Sequence, residues 1–413
     1  MYEKMKILWL SHNIPYPPKG GVLQRNYNLV KEIAKYNKIF LVAFNQKALL
    51  PTDADIKDAL NALKKYCEEI EVIPLPSEET KWGKKRLLAK SIFTKKPYTV
   101  NWNQSNEMKK LVEKVTCSFN PDLIHYDTVG LAEYYNPSYN GPQVLNHHNI
   151  ESAMMLRRYQ KEKNILKRLY FYQEAKKIEQ YEMKYCGLFY ANLTVSEDDG
   201  VILKRLLPEI KIEIISNGVD TAYFCPTKAK TQKISLIFGG GMGWYPNRDA
   251  MLWFADEIWP LIKKEYPDVK ITVIGRKPPD KLIKLSKDDS NFIVTGYVDD
   301  VRPYFEDALI YVCPIRDGGG TRLKILDALS MGKPIVATTI AVEGIKVIPN
   351  KHVLIADTPE QFAAQIVKLI EDKDLREMLS VEGRKLMEDN YDWSIIGKKL
   401  NNIYKMAYIS TRK

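Results

Sequence analysis

Short apolar runs alternate with longer amphipathic stretches along most of the chain. In the first half, apolar runs at 6–10, 39–44 and 71–75 predict buried strands, and residues 22–36 and 55–67 repeat apolar positions at helical spacing. Parallel strands need a crossover connection, and the order strand, helix, strand supplies one. The pattern therefore predicts an α/β fold with a parallel sheet.

The same pattern begins again in the second half. The first series continues with strands at 121–126 and 142–151 and one long helical region at 152–185. A polar stretch at 227–233 precedes a strand at 234–238, which is followed by a loop at 244–249. We therefore expect two doubly wound, Rossmann-like domains, formed by residues 1–220 and 221–390.

One stretch of the second half predicts a nucleotide site. An apolar strand at 308–314 leads to three glycines at 318–320, a helix and another strand. A glycine turn into a helix exposes backbone N–H groups at the positive end of the helix dipole, where phosphate binds. Asp327 lies just beyond the first helical turn and could accept hydrogen bonds from ribose hydroxyls. Turn geometry alone would also require glycines here.

Composition places the chain among ordinary globular proteins. It has 413 residues, 45% of them hydrophobic and 27% charged, which suits two domains. Its five cysteines have neither paired nor C-x-x-C spacing, which favours a reducing compartment over a zinc or disulfide framework. The N-terminus shows no signal-peptide pattern, and no apolar run is long enough for a membrane span, so we expect a cytoplasmic protein.

The net charge of +11 raises the question of an anionic partner. We find no nucleic-acid-binding motif. Segment 81–96 carries seven Lys and Arg residues with Trp82, Ile92 and Phe93 among them. Such a segment can lie on an anionic membrane, at the inner face of the plasma membrane for a cytoplasmic protein. The alternative is a solvated helix with its apolar face on the core.

Polar residues at predicted strand ends mark a second candidate site. Ligands of open parallel sheets bind at the carboxyl ends of the strands. His125, His147 and His148 all fall there, and the companions Asn149 and Glu151 favour His148 as the functional one. A strand-end histidine is otherwise most often structural.

The order of motifs resembles family-four retaining glycosyltransferases from about Lys6 to Trp393, and most of all bacterial enzymes of exopolysaccharide or surface-polysaccharide assembly. The motifs are His148–Glu151, Asn217–Asp220, Gly240–Met242, Pro246–Asn247, Asp249–Ala250, Thr295–Val298 and Gly318–Gly332. The resemblance implies the GT-B fold, with two Rossmann-like domains facing across a cleft and the final helix, 391–413, joining the N-terminal domain. It also implies a nucleotide-sugar donor, a glycan or lipid-linked acceptor, and no metal or other cofactor.

The resemblance assigns roles residue by residue. His148 would contact the reacting sugar, Gly20 and Gly21 would admit the donor phosphate, and Asp327 would hold the ribose. The first acid of the family's E-x7-E signature falls at Gly319, so we expect Asp317 to take over its sugar contact. The expected donor-binding residues are Gly20, Gly21, Gly240, Gly241, Arg276, Gly319, Gly320, Thr321, Arg322, Lys324 and Asp327, and the expected acceptor-binding residues are Arg25, Asn149 and Glu151.

The family's diphosphate clamp is also altered. Gly241 and Asn247 stand near the positions of its Arg and Lys, so we expect Arg322, Lys324 or Arg276 to neutralise the leaving group.

Other functions remain open at this point. A non-hydrolysing nucleotide-sugar 2-epimerase has a similar two-domain shape, and a degenerate transferase could bind without turnover. An NAD-dependent oxidoreductase is disfavoured, because no G-x-G-x-x-G follows the first strand.

Overall fold

The computed structural model describes residues 4–80, 82–227, 234–318 and 320–411. The chain divides into two compact units, Met1–Ser216 with Ile396–Lys413, and Asn217–Ile395. Each unit contains one parallel sheet flanked by helices, which confirms the predicted α/β class and the two Rossmann-like domains. Among the described residues, no helix combines the length and apolarity needed to cross a bilayer.

The N-terminal unit has a seven-stranded sheet in the order β3-β2-β1-β4-β5-β6-β7. Its strands are β1 Lys6–Ser11, β2 Lys38–Asn45, β3 Glu69–Pro74, β4 Leu123–Tyr126, β5 Gln143–Asn146, β6 Ala191–Thr194 and β7 Ile212–Ile214. Its helices are α1 Gly21–Ile33, α2 Asp53–Leu63, α3 Gly83–Phe93, α4 Tyr98–Trp102, α5 Asn106–Phe119, α6 Glu151–Lys161, α7 Ile165–Tyr185 and α8 Glu197–Leu206. The strand order reverses between β1 and β4, which is where such sheets bind ligands.

The C-terminal unit has a six-stranded sheet in the order β10-β9-β8-β11-β12-β13. Its strands are β8 Ser235–Gly239, β9 Lys270–Ile274, β10 Phe292–Gly296, β11 Ile310–Cys313, β12 Ile335–Ala337 and β13 Leu354–Ile355. Its helices are α9 Tyr245–Trp253, α10 Trp259–Glu265, α11 Asp280–Asp288, α12 Arg302–Asp307, α13 Leu323–Ser330, α14 Pro359–Glu371 and α15 Lys373–Asn390. The order reverses between β8 and β11, so the loops after these two strands form its expected ligand edge.

The central strands are buried, as their unbroken apolar runs predict. Residues Ile7–Leu10 of β1 are fully buried, and so are Ile310–Cys313 of β11. Helices cover both faces of such a sheet, which is why these strands show no polar alternation. Buried strands fix the backbone that leads into each loop at the carboxyl edge.

The last helix, α16, runs from Trp393 to Ser410, and its residues from Ile396 onwards belong to the N-terminal unit. Tyr404 contacts His125 through its hydroxyl, 2.7 Å from the ring Nδ1, and Asn37 donates to Asn401 Oδ1 at 2.8 Å. A Cβ at Gly397 would overlap the side chain of Glu32 in α1. The helix therefore packs closely on β4 and α1.

Three predicted element boundaries were wrong. The strand predicted at 142–151 ends at Asn146, and Glu151 already begins α6. The single helix predicted at 152–185 is a hairpin, because Asn164 caps a new helix by accepting from the backbone N–H of Lys167 at 3.1 Å. The loop predicted at 244–249 lies mostly in α9, since proline is favourable in a first helical turn.

Candidate functional site

A buried carboxylate organises the ligand edge of the N-terminal unit. Asp127 follows β4 directly, and its side chain is fully buried. Its oxygens accept from His12 Nδ1 at 2.7 Å, Asn26 Nδ2 at 2.6 Å and His148 Nε2 at 3.1 Å. Asn146, at the end of β5, donates to the backbone oxygen of Asp127 at 3.1 Å. Residues from three strand ends and from α1 thus converge on one carboxylate.

The charges of this cluster follow from its hydrogen bonds. Burial alone would raise the pKa of Asp127, but the nearby His148 and His12, which donate to it, hold that pKa well below its usual value. Burial lowers the pKa of His148, with Asp127 opposing the shift. The pair at neutral pH is therefore an ionised carboxylate and a neutral imidazole.

This pairing fixes the tautomer of His148. A carboxylate only accepts hydrogen bonds, so Nε2 of His148 carries the proton and Nδ1 keeps a lone pair. The side chain of His148 is 11% exposed. The ring can accordingly offer Nδ1 as an acceptor to a substrate hydroxyl.

The same three residues have a spacing that a metal ion could bridge. One ligand atom each from His12, Asp127 and His148 lie within 4.8 Å of one another. Asn13 approaches the second ring nitrogen of His12 at 3.0 Å, and Asp127 already accepts from several donors. The donor set is thus organised as a hydrogen-bond network around the carboxylate.

The other two strand-end histidines are structural. Burial lowers the pKa of His125 to about 3 and that of His147 to about 4. The ring of His125 stacks on Trp9 with centroids 3.8 Å apart, and His147 contacts Asn192 Oδ1 at 3.0 Å. Both are completely buried, so of the three only His148 reaches the edge of the site.

The predicted acceptor residues lie around this cluster in different environments. Arg25 is buried in α1, and its guanidinium donates to the backbone oxygens of Ile215 and Ser216 and to Asn146. It therefore also holds the chain after β7 against the cluster. Glu151 accepts from the Thr128 hydroxyl at 3.3 Å, and burial raises its pKa. Asn149 is half-buried between His148 and α6.

Gly20 and Gly21 form the exposed start of α1, beside the cluster. Gly20 has φ +105°, a backbone conformation that residues other than glycine rarely adopt. A Cβ at this position would meet nothing within 4 Å. The backbone N–H groups at the start of α1 thus stand open at the carboxyl edge of the sheet, as phosphate binding requires.

A second cluster lies at the ligand edge of the C-terminal unit. Lys324, in the first turn of α13, donates to Asn247 Oδ1 at 2.5 Å, and Asn247 donates to the backbone oxygen of Gly241 at 2.9 Å. A Cβ at Gly240 would collide with the Lys324 ammonium group. Burial lowers the pKa of Lys324 to about 8. The loop after β8 and the helix after β11 are joined by one lysine.

Asp327 lies one turn further along α13. Burial raises its pKa to about 7, against the opposing effect of Lys324. Its Oδ1 is buried without a hydrogen-bond partner in the described part of the chain, and so is the hydroxyl oxygen of Thr321. Other buried side-chain atoms of the described chain, such as Asn13 Oδ1 and Asn26 Oδ1, are also unpaired, but these two stand beside the glycine turn, where a polar ligand could pair them.

The glycine turn before α13 is held by its own arginine. Arg322 is buried, and its guanidinium donates to the backbone oxygens of Gly320 and Gly318, the latter at 2.7 Å. Asp317 accepts from the N–H of Gly318 at 2.5 Å. Arg322 therefore shapes the turn with its charge, while Gly319 lies outside the described residues.

Arg276 is the other predicted cation of this edge. It follows β9, is exposed, and lies with its guanidinium carbon 4.1 Å from the centre of the Tyr297 ring. The ring holds the arginine in place by stacking and a cation–π interaction.

Sequence reasoning missed the centre of the N-terminal cluster. His12, Asn26 and Asp127 were not among the predicted site residues, although Asp127 stands at a predicted strand end. The available signal was the shared edge: β1, β4 and β5 are neighbours, so polar residues at their carboxyl ends meet.

Comparisons with known proteins show a family match in the C-terminal unit. The family described as "Glycosyl transferases group 1" matches residues 233–372, which contain the C-terminal cluster. An uncharacterised 44.6 kDa protein in the cps region of Klebsiella pneumoniae is 22% identical over 263 residues, 60% of this chain and 65% of that protein. The capsular polysaccharide biosynthesis glycosyltransferase CapM of Staphylococcus aureus is 25% identical over 151 residues, 35% of this chain and 39% of CapM. The chain thus spans less than two thirds of the length of these relatives.

A solved structure extends the likeness to nearly the whole chain. Anabaena HepE in complex with UDP superposes with a TM-score of 0.66 at 14% identity, covering 97% of this chain and 100% of HepE. This similarity supports the two-domain α/β fold.

Proposed function

We propose that the chain, whose residues 233–372 match the group 1 glycosyl transferases, is a retaining glycosyltransferase of the hexosyltransferase type. It would move a sugar from a nucleotide-diphosphate sugar to a glycan or lipid-linked acceptor in surface-polysaccharide synthesis. The cps-region relative and CapM support this setting. A cytoplasmic site of action, at the inner face of the membrane, is part of the proposal.

The unpartnered Oδ1 of Asp327 is the observation that carries the proposal. It lies in α13, at the reversal point of the sheet and within the matched family region. Two adjacent ribose hydroxyls would donate to this carboxylate, and they would compensate its burial. HepE, whose structure holds UDP, supports a nucleotide at such a site.

Lys324 is the cation best placed for the diphosphate. Arg322 already supports the glycine turn, whereas Lys324 contacts one neutral amide and stands beside Gly240. A bound diphosphate would stabilise the charged ammonium and neutralise the leaving group, with Arg276 as a second cation at the edge. On this basis we propose that the reaction needs no metal.

The N-terminal cluster would act on the hydroxyl groups of the sugars. In the proposed reaction the bond between the anomeric carbon and the diphosphate oxygen breaks, and a bond to the acceptor oxygen forms on the same face. The acceptor's proton passes to the departing diphosphate. His148, held by Asp127, would accept a hydrogen bond at Nδ1 and orient the reacting sugar. Gly20 and Gly21, Arg25, Asn149, Glu151 and Asp317 keep their predicted contacts within this proposal.

A thermal-shift panel with UDP, GDP, ADP, dTDP and CDP tests the proposed donor site. A nucleotide at about 100 times its dissociation constant should stabilise the protein by roughly 2.7 kcal/mol. We expect one nucleotide to give this shift, and Asp327→Ala and Lys324→Met each to remove most of it. Asp268→Asn, an exposed acid of the same unit, is the matched control and should leave the shift intact.

The outcome also separates the rival functions. No shift with any nucleotide would overturn the donor site. A shift without sugar transfer to any acceptor would favour a degenerate binding protein. Conversion of the donor sugar without any acceptor would favour the epimerase.

A further inference from the structure

The turn between α6 and α7 presents a compact apolar surface to solvent. Ile165 is 74% exposed, Leu166 78% and Leu169 59%. These residues form the first turns of α7, and every residue from 163 to 169 is exposed. A group of large exposed apolar side chains at a helix end indicates an interaction surface for a membrane or another protein.

The C-terminal end of α3 continues this surface. Phe93 is 88% exposed, and Gln173 of α7 donates to the backbone oxygen of Ile92 at 3.0 Å. Leu166, Leu169 and Gln173 lie on one face of α7 at helical spacing. At a rise of 1.5 Å per residue, Ile165 stands about 12 Å along α7 from this contact. The contact between the two helices brings their exposed apolar ends to one side of the unit. We name the surface formed by Phe93, Ile165, Leu166 and Leu169 the α3–α7 strip.

The positive charge of the protein is concentrated in the same two segments. Residues 82–96 and 156–173 together contain twelve Lys and Arg residues and one Glu. This excess equals that of the whole chain, which has 62 Lys and Arg against 51 Asp and Glu. The remainder of the chain has as many acidic as basic residues, and Lys84 and Lys96 of these segments pair with Glu78 and Glu133 outside them.

We propose that the α3–α7 strip docks the protein on an anionic lipid bilayer. Apolar side chains would enter the interface between headgroups and acyl chains, and the surrounding Lys and Arg would face the headgroups. A nucleic acid would match the charge but would not cover Leu166 or Phe93. The proposal rests on the proposed function, since it names the surface that brings the enzyme to a lipid-linked acceptor, and it moves the main contact from segment 81–96 to the tip of α7.

Vesicle flotation of the full chain tests this docking. Wild-type protein should bind phosphatidylcholine vesicles containing 30% phosphatidylglycerol, and pure phosphatidylcholine at least tenfold more weakly. Each basic residue near such a surface contributes roughly fivefold in affinity, so Lys167→Glu with Arg168→Glu should weaken binding at least tenfold. Ile165→Ser, Leu166→Ser and Leu169→Ser together should weaken binding even in high salt, where charge is screened.

Matched controls come from exposed residues elsewhere. Lys64→Glu with Lys65→Glu makes the same charge change just after α2, and Val381→Ser with Met406→Ser removes comparably exposed apolar side chains. Both controls should bind like wild type. Equal loss in tip and control variants, or equal wild-type binding to both vesicles, would overturn the proposal. A dimer that the triple serine variant dissociates, with no vesicle binding, would assign the strip to a second copy instead.

The flotation does not depend on catalysis. Nucleotide-induced thermal shifts of the tip variants should equal those of wild type. Vesicle binding without any nucleotide shift would therefore support the docking surface while contradicting the proposed donor site.

Discussion

Asp127, which is fully buried, and Asp327, which is half-buried, lie at the ligand edges of two similar sheets, yet their pKa values move in opposite directions. Asp127 accepts from two histidines and an asparagine, and its pKa lies well below the ordinary value. Asp327 has Lys324 nearby but an unpaired oxygen, and its pKa rises to about 7. Burial is common to both, so the number of donors decides the charge.

The difference separates a preorganised site from one that a ligand completes. The N-terminal cluster supplies its own donors and so fixes the orientation of His148 before any substrate arrives. In that cluster the unpaired atoms are the amide oxygens of Asn13 and Asn26, whereas in the C-terminal cluster the carboxylate oxygen of Asp327 itself is unpaired, and a nucleotide would supply its donors. The first arrangement favours stability, and the second favours binding at the expense of stability.

The largest effect should come from removing the N-terminal carboxylate. Asp127→Ala leaves His12, Asn26 and His148 without their shared acceptor, so unfolding should become easier by about 3–5 kcal/mol. Asp327→Ala is the matched variant and should change stability by less than about 1 kcal/mol, because its Oδ1 has no partner to lose. Urea denaturation measures both. Equal destabilisation would mean that the two carboxylates do not differ in this way.

A smaller effect is expected on turnover. His148→Ala removes the acceptor atom that Asp127 orients, and sugar transfer should slow by about a hundredfold. Nucleotide affinity should stay nearly unchanged, since His148 is not among the expected nucleotide-binding residues. His148→Gln keeps a side-chain acceptor and should recover part of the activity. Wild-type turnover in His148→Ala would remove this residue from the mechanism.

The smallest effect should appear as a pH slope. The folded pKa of Asp327 is raised from 3.8 to about 7, so its protonated form contributes stability that is complete below 3.8 and is lost as the pH rises through about 7. Asp327→Asn removes this titration, so its stability relative to wild type should increase between about pH 5 and pH 8, by on the order of 1 kcal/mol. Asp127 has a lowered pKa and predicts the opposite slope, with stability lost towards acid. Thermal melts of the nucleotide-free protein across this pH range provide the test.

Much of the fold could be predicted because the strands are buried on both faces. Long apolar runs such as Ile7–Leu10 have one plausible structure when helical stretches alternate with them. The predictions around Asn146 and Asn164 were wrong because single side-chain interactions determine where these elements begin and end. An asparagine that caps a helix and one that sits in a loop look alike in sequence, and only the hydrogen bond to Lys167 distinguishes them.

The sequence could predict site residues only where they belong to one continuous motif. Asp327, Lys324 and the glycine turn are neighbours in sequence, so a local pattern identifies them. The N-terminal cluster joins His12, Asn26, Asp127 and His148, which only the order of strands brings together. The role of Arg322 also depends on the structure. Its charge in the sequence suggests a phosphate contact, whereas its hydrogen bonds show that it supports the glycine turn.

The course of α16 has a consequence for how the protein is made. The N-terminal unit needs residues that are synthesised after the whole C-terminal unit, because Asn401 and Tyr404 bond to Asn37 and His125. The C-terminal unit is an uninterrupted stretch, so it can fold while its predecessor is still unfinished. A chain that stops before Ile396 would lack 18 residues of the first unit, although its break would lie after the whole second unit. A break after the second unit would thus destabilise the unit that is synthesised first.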